Sequence, residues 1–230
     1  MMAMDIGVNI TDKEEIESCA RIAQQFGFAG MAVMGDISEP MVRVTDSFMI
    51  FRRIELKGKG LGNLRKQSNA ARRSGLVVAM QLSTIEVTNW AAEDPRVDLL
   101  TINPSKESRL RDTTARLAAS SSTCLEIQIA PLLSSTGLSR SKVLKSYREA
   151  VTTAVDANME IVLSSGAIYP MGLRSPVAMV HIGMLVGLEK TVAEHAVMDT
   201  PSQIVERNMK KLGPEYVRAG VEVLRGGLRP

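Results

Sequence analysis

The sequence predicts an α/β fold, a single (β/α)8 TIM-like barrel with parallel strands, and three observations carry that prediction. Short β-rich apolar runs alternate with longer segments of helical period, the pattern of parallel strands joined by right-handed crossovers. Eight such runs fit into 230 residues, near the size of a closed barrel, whereas an open doubly wound sheet uses fewer strands at that length. A hydrophobic content of 45% supplies one sizeable core, so residues 1–230 are expected to form a single barrel domain.

Taken in order, residues 4–8 give the first strand and residues 13–26 the first helix. Strands at 30–34 and 49–55 follow, separated by the weakest connection, 36–47. The helix at 61–73 gathers Leu61, Leu64, Ser68 and Ala71 on one face and Arg65, Asn69, Arg72 and Arg73 on the other. A strand at 76–81 and a helix at 85–92 lead to the strand at 97–102, an apolar core with a proline at each shoulder. Its C-terminal end opens onto Lys106, Arg109 and Arg111, and in a parallel barrel that is the end where sites form. The helix at 108–119 turns Leu110, Thr114 and Leu117 inward and Arg109, Asp112 and Arg116 outward.

Residues 124–129, 160–164 and 193–197 complete the predicted strands, and helices fall at 141–157, 176–188 and 202–212. Ser175 as N-cap and Pro176 at the first helical position fix the start of the 176–188 helix. Tyr216, Val217, Gly220, Val221 and Leu224 suggest a short C-terminal helix within 213–230, ahead of a loose RGGLRP tail. Ile6, Val8, Val33, Ile54, Val78, Leu100, Ile127 and Ile161 are the expected core positions.

The charge balance, 28 Lys plus Arg against 25 Asp plus Glu, is only mildly basic, so a polyanion would have to meet local clusters. Cys19 and Cys124 have no metal-type spacing and fit buried thiols in a reducing compartment. No signal peptide or membrane span is expected, since the longest near-apolar run, 177–188, is short and contains His181. The location predicted is cytoplasmic, with no membrane partner.

Metal-dependent chemistry on a barrel needs several converging His and carboxylate ligands, and the chain has only His181 and His195. No cofactor, metal site or catalytic residue is assigned. His181 reads as a helix residue, and His195, on the last predicted strand, could face either the barrel mouth or a helix. Asp5 and Glu126 lie on strands without signature spacing, and an internal ion pair with Arg or Lys would account for a buried carboxylate. The stretch VLSSGAIYPMGLRSP offers Ser164, Ser165 and Gly166 at a strand end and Arg174 and Ser175 at a helix start. That is either a phosphate cradle or a plain strand-to-helix turn. Aromatic content of 3% disfavours base stacking and leaves phosphate contact as the mode of any nucleic-acid binding.

The segments LGNLRKQSNAARRSG, NWAAEDPRVDLLTINP, LEIQIAPLL, IVLSSGA, LRSP and TPSQIVERN occur in sequence order between residues 61 and 208. In order and near spacing they are similar to the archaeal ribonuclease P protein component 3 family, and the resemblance runs from about Asp5 to Leu212. It implies a barrel related to metal-dependent phosphoesterases that serves as a noncatalytic subunit of the ribonucleoprotein removing 5′ leaders from precursor tRNA. The implied partners are the ribonuclease P RNA, which carries catalysis, precursor tRNA through the assembly, and a Pop5-type protein subunit, in a heteromer of higher order. The residues expected to face RNA phosphate are Arg65, Arg72, Arg73, Lys106, Arg109, Arg111, Ser164, Ser165, Gly166, Arg174 and Ser175. The alternative is a barrel enzyme gripping a small phosphorylated molecule with the serines and the Ser175 helix start, His195 or a strand carboxylate being its base.

Overall fold

The computed structural model describes residues 3–35, 37–58, 60–104 and 109–212, and the backbone of 216–218 and 221–222. The chain runs β1 (Met4–Val8), α1 (Lys13–Gln25), β2 (Gly30–Val33), β3 (Met41–Thr45), β4 (Phe48–Leu56), α2 (Leu61–Ser74), β5 (Val77–Gln81), α3 (Ile85–Glu93) and β6 (Leu99–Thr101). It continues with α4 (Asp112–Ser121), β7 (Cys124–Gln128), α5 (Ala130–Ser134), α6 (Gly137–Asp156), β8 (Ile161–Ser164), a single 3-10 turn (Pro170–Gly172), α7 (Pro176–Leu185), α8 (Lys190–Met198) and α9 (Thr200–Leu212).

Local chemistry explains the elements. In α1, Asp12 accepts the Glu15 N–H at 3.0 Å as an N-cap, and Ile16, Cys19, Ala20 and Ala23 recur at helical spacing on the buried face. The wall is parallel, in the order β1-β2-β4-β5-β6-β7-β8, with β3 paired antiparallel to β4 as the eighth strand of the sheet. The nine-residue β4 does double duty: Met49–Arg52 pair with β2, and Arg53–Leu56 pair with β5. Beyond β8 the wall curls back on β1, where Asn9 N–H donates to Ala167 C=O at 2.7 Å and Gly166 N–H to Gly7 C=O at 3.0 Å. Those two bonds form the seam of a TIM-like barrel.

Strand alternation layers the interior. Phe51, Leu99, Cys124 and Val162 belong to a lower apolar layer with Ile6, Ala32, Val77 and Ala79. Two residues further along the same strands stand Arg53, Thr101, Glu126 and Ser164, all buried and polar. Ile204 and Val205 of α9 join the apolar layer. Around them Asn208 donates to Leu76 C=O at 3.0 Å, Arg207 to Ser122 C=O at 3.2 Å and Lys211 to Pro95 C=O at 3.4 Å. Those carbonyls precede β5, β7 and β6, so α9 plugs the N-terminal end of the barrel.

The predicted strand at 193–197 is instead part of α8. A run of five residues such as AEHAV has no periodicity to separate a strand from one and a half helical turns. The eighth strand comes from the weak connection, where Met41–Thr45 and Phe48–Leu56 make a hairpin. At the C-terminus, Tyr216–Arg218 (β9) and Val221–Glu222 (β10) pair antiparallel where a helix was expected. Of the expected core, Ile6, Val8, Val33, Val78, Leu100, Ile127 and Ile161 are buried, while Ile54 is half-buried because Arg53 takes the interior position.

Candidate functional site

The C-terminal mouth of the barrel is filled by its own side chains. Arg53 reaches from β4 across to β7 and meets Glu126 with two nitrogens, each at 2.6 Å, a fork-to-carboxylate pair sealed from solvent. Thr101 donates to one Glu126 oxygen at 2.5 Å, Ser164 to the other at 2.8 Å, and Arg53 also donates to Ile6 C=O at 2.8 Å. Burial alone would raise the Glu126 carboxyl, but Arg53 and the two hydroxyls hold it below the usual carboxylate range. Gly7 makes room: a Cβ there would lie 2.2 Å from Ser164 Oγ and 2.5 Å from Glu126 Oε1.

The LSSGA segment completes this closure. Ser164 and Ser165 are fully buried; Ser164 Oγ is bound to Glu126, and Ser165 Oγ accepts the Ala167 N–H at 3.1 Å. Asp5 accepts the Gly7 and Ser165 N–H groups at 3.2 and 3.1 Å, while burial pushes its carboxyl up against those bonds. Gly166 sits at φ +64, the left-handed region, where a Cβ would stand 2.8 Å from the Gln128 Cβ. Ser164, Ser165 and Gly166, expected from the sequence to meet phosphate, are thus buried in this seam, with the two hydroxyls and the Gly166 N–H bonded within it. Ser175 accepts the Ala178 N–H at 3.3 Å, as its N-cap position predicts, and Arg174 donates to the Met171 and Leu173 carbonyls at 2.9 and 2.7 Å.

The basic residues divide. Arg72 is internal: it meets the fully buried Asp98 at 2.5 Å and donates to Leu76 and Arg96 carbonyls. Arg207 and Asn208 of α9 hold the other Asp98 oxygen at 3.0 and 2.9 Å. Arg72, expected from the sequence to meet phosphate, is thus paired with this second buried charge at the barrel floor. Arg65 and Arg73 are exposed on α2, and Lys106 lies outside the described residues. Arg109 and Arg111 line an open cavity of about 610 Å³ with Ser83, Thr84, Thr88 and Thr114. Arg109 carries a loose contact with Glu149 at 3.5 Å, both side chains well exposed. Ser83 also borders a neighbouring hollow of about 300 Å³ that includes Lys57. Lys57, Ser83 and Thr84 escaped the sequence reading because single residues in strand-to-helix loops carry no periodic signal; only their position at the C-terminal ends of β4 and β5 marks them.

His195 belongs to neither site. On α8 its Nδ1 lies 3.0 Å from Asp199 and its Nε2 3.6 Å from Glu160, just before β8 and so at the opposite end of the barrel from Ser164. His195 is therefore at the other end from the serines, and the strand carboxylates beside them, Asp5 and Glu126, are buried and hydrogen-bonded. Among the described residues no three His, Cys, Asp or Glu side chains are grouped to hold a metal ion, and no helix is long and apolar enough to cross a membrane.

Residues 2–212 match the RNase P subunit p30 family, most of the chain. The chain belongs to the RNase P subunit p30 family. Ribonuclease P protein component 3 of Methanosarcina barkeri is 32% identical over 219 residues, covering 92% of this chain and 90% of the relative. The same component of Methanosarcina acetivorans is 30% identical over 212 residues, 89% and 87% of the two chains. A chain of an archaeal ribonuclease P solved with mature tRNA superposes with a TM-score of 0.78 over 98% of this chain and all of that one, at 17% identity. The p30 family membership and the barrel thus agree with the resemblance read from the sequence segments.

Proposed function

We propose that this chain is a noncatalytic protein subunit of ribonuclease P, the ribonucleoprotein endonuclease that removes 5′ leaders from precursor tRNA. Family membership along 2–212 supports the assembly. The observation that supports the noncatalytic role is the Arg53–Glu126 pair, which occupies the barrel mouth where a parallel barrel would otherwise present reacting groups. With its central carboxylate already neutralised and hydrogen-bonded, the barrel acts as a scaffold.

Its contribution to the RNA falls to the exposed rim. Arg109 and Arg111 line one hollow with Ser83 and Thr84, and Ser83 also borders the hollow that includes Lys57, so the rim offers cations and hydroxyls to a phosphate-sugar backbone. Arg65 and Arg73 on α2 add cations on an adjoining face. A Pop5-type subunit is the protein partner, the catalytic RNA and precursor tRNA being met through the assembly in a larger heteromer.

The test is reconstitution of precursor-tRNA cleavage from the catalytic RNA and its protein subunits, with and without this chain. Cleavage raised by adding the chain, with none from the chain alone, is the expected result. Cleavage indifferent to the chain at every magnesium concentration would overturn the reading.

A further inference from the structure

Crossovers between parallel strands of a barrel ordinarily carry a helix over the outer face of the sheet. Here α1, α2, α3 and α4 join β1 to β2, β4 to β5, β5 to β6 and β6 to β7, and α5 with α6 joins β7 to β8. The crossover from β2 to β4 departs from this: its described residues form the strand β3 and no helix. The connection is tied back to α1 at two points. A Cβ on Gly35 would stand 2.4 Å from Ile16 Cδ1, and Thr45 Oγ1 donates to Gln24 Oε1 at 3.3 Å. Where the helix would have lain there is a hollow of about 820 Å³ between α1 and β3. Small-molecule pockets occupy about 300–1,000 Å³, so its size is that of a ligand site.

The floor of the hollow is aliphatic: Ile16, Ala20 and Ile50 are buried beneath it, and Ile37, Val42 and Val44 line its walls. Its lip is cationic. Lys13, Arg21 and Arg43 stand exposed there beside a single carboxylate, Glu17. Among the described residues none of these three cations has an ion-pair partner, and Arg21 donates only to Ser18 Oγ, at 3.1 Å. We propose that the hollow binds a small amphipathic anion, an alkyl chain lying on the aliphatic floor with its carboxylate held among the cations; the inference is independent of the subunit reading above. The lining selects that chemistry. Among the described residues that line it there is no Phe, Tyr or Trp, so a nucleobase would find no ring to stack on, and a phosphate backbone would leave the floor unmatched. The lining residues of α1 run from Lys13 to Gln24, about 16 Å along the helix axis, which suits an extended chain. A docked peptide helix about 10 Å across and 15 Å long would fill roughly 1,200 Å³, more than the hollow offers.

The experiment titrates the full chain by calorimetry with decanoate and with its uncharged counterpart decanol, below the concentrations at which either aggregates. Saturable binding of decanoate at a single site is expected, with decanol about tenfold weaker because it lacks the charge. Arg21→Glu with Arg43→Glu should weaken decanoate about tenfold and leave decanol unchanged. Val44→Trp, which fills the hollow from its lip, should weaken both ligands about tenfold. Val177→Glu, on the exposed apolar side of α7, controls for general adsorption and should change neither affinity. Circular dichroism and melting curves confirm that each variant folds, and because the substitutions address opposite ends of the ligand, either set decides if the other fails to fold. No saturable binding of decanoate to the wild-type chain, or wild-type affinity in folded Val44→Trp, would overturn the site. Equal loss of both ligands in the double arginine variant would overturn the role given to the cations. Self-association of the wild-type chain, abolished by Val44→Trp, would overturn the choice of a small molecule.

Discussion

Arg53 and Glu126 face each other across the barrel interior, two nitrogens on two oxygens at 2.6 Å, with both side chains sealed from water. Removing one partner leaves the other charge buried, which costs about 3–5 kcal/mol. Glu126→Gln should therefore destabilise the fold by that order, whereas Arg53→Met combined with Glu126→Gln should cost less than the sum of the two single changes by more than about 1 kcal/mol. Urea denaturation of the four proteins measures the coupling, and additive costs would show that the pair is not a unit. Because the folded Glu126 carboxyl lies below its ordinary value of 4.5, its contribution is present above that pH and is lost as pH falls through the depressed value.

Asp5 has the opposite sign. Burial raises its carboxyl above the ordinary 3.8, so the folded state binds that proton more tightly than the unfolded chain. Its contribution is full below 3.8 and is lost as pH rises through the folded value. Asp5→Asn keeps the Oδ1 acceptor for Gly7 and Ser165, so its stability relative to wild type should be greater at pH 8 than at pH 4. Equal differences at both pH values would mean that Asp5 ionises in the folded protein as it does in solution.

Arg72 and Arg73 are neighbours in sequence with different work. Arg72→Ala strips a charged hydrogen bond from Asp98, though Arg207 and Asn208 remain, and should cost roughly 1–3 kcal/mol. Arg73→Ala, on the exposed side, should stay within about 0.5 kcal/mol. Thermal melts of the two variants distinguish the floor of the barrel from its surface, and equal melting temperatures would place Asp98 outside the stabilising network.

Arg109→Ala with Arg111→Ala tests the rim. Both residues are exposed, so folding and partner binding should hold while assembly on the catalytic RNA weakens. Each phosphate left without its arginine should reduce the slope of log affinity against log salt by about 0.7 to 0.9. A salt series with the partner complex reads this directly, and an unchanged slope would return both arginines to ordinary solvated surface.

The sequence exposed the barrel because its strands are β-branched runs between turns, and seven of them stand where alternation put them. It concealed what depends on tertiary partners. Arg72 and Arg73 look alike on a helical wheel, and only Asp98, twenty-six residues from Arg72, separates them. Ser164 and Ser165 read as a cradle because glycine and serine at a strand end suit both an anion and a tight backbone seam. The Glu126 partner was foreseeable as a class, an arginine or lysine, but not as Arg53, since the pairing crosses seventy-three positions of chain.

The seam between β1 and the segment after β8 also sets a clock. Gly7 and Asn9 acquire their bonds to Gly166 and Ala167 only when those residues exist. At a synthesis rate of about 5–20 residues per second, the gap amounts to roughly 8–30 s. Throughout that interval the nascent sheet has an unsatisfied first edge, open to misplaced pairing with any other strand nearby. Arg53 and Glu126 both precede Gly166 and Ala167 in the chain, so the two halves of the interior ion pair are synthesised before the last piece of the wall.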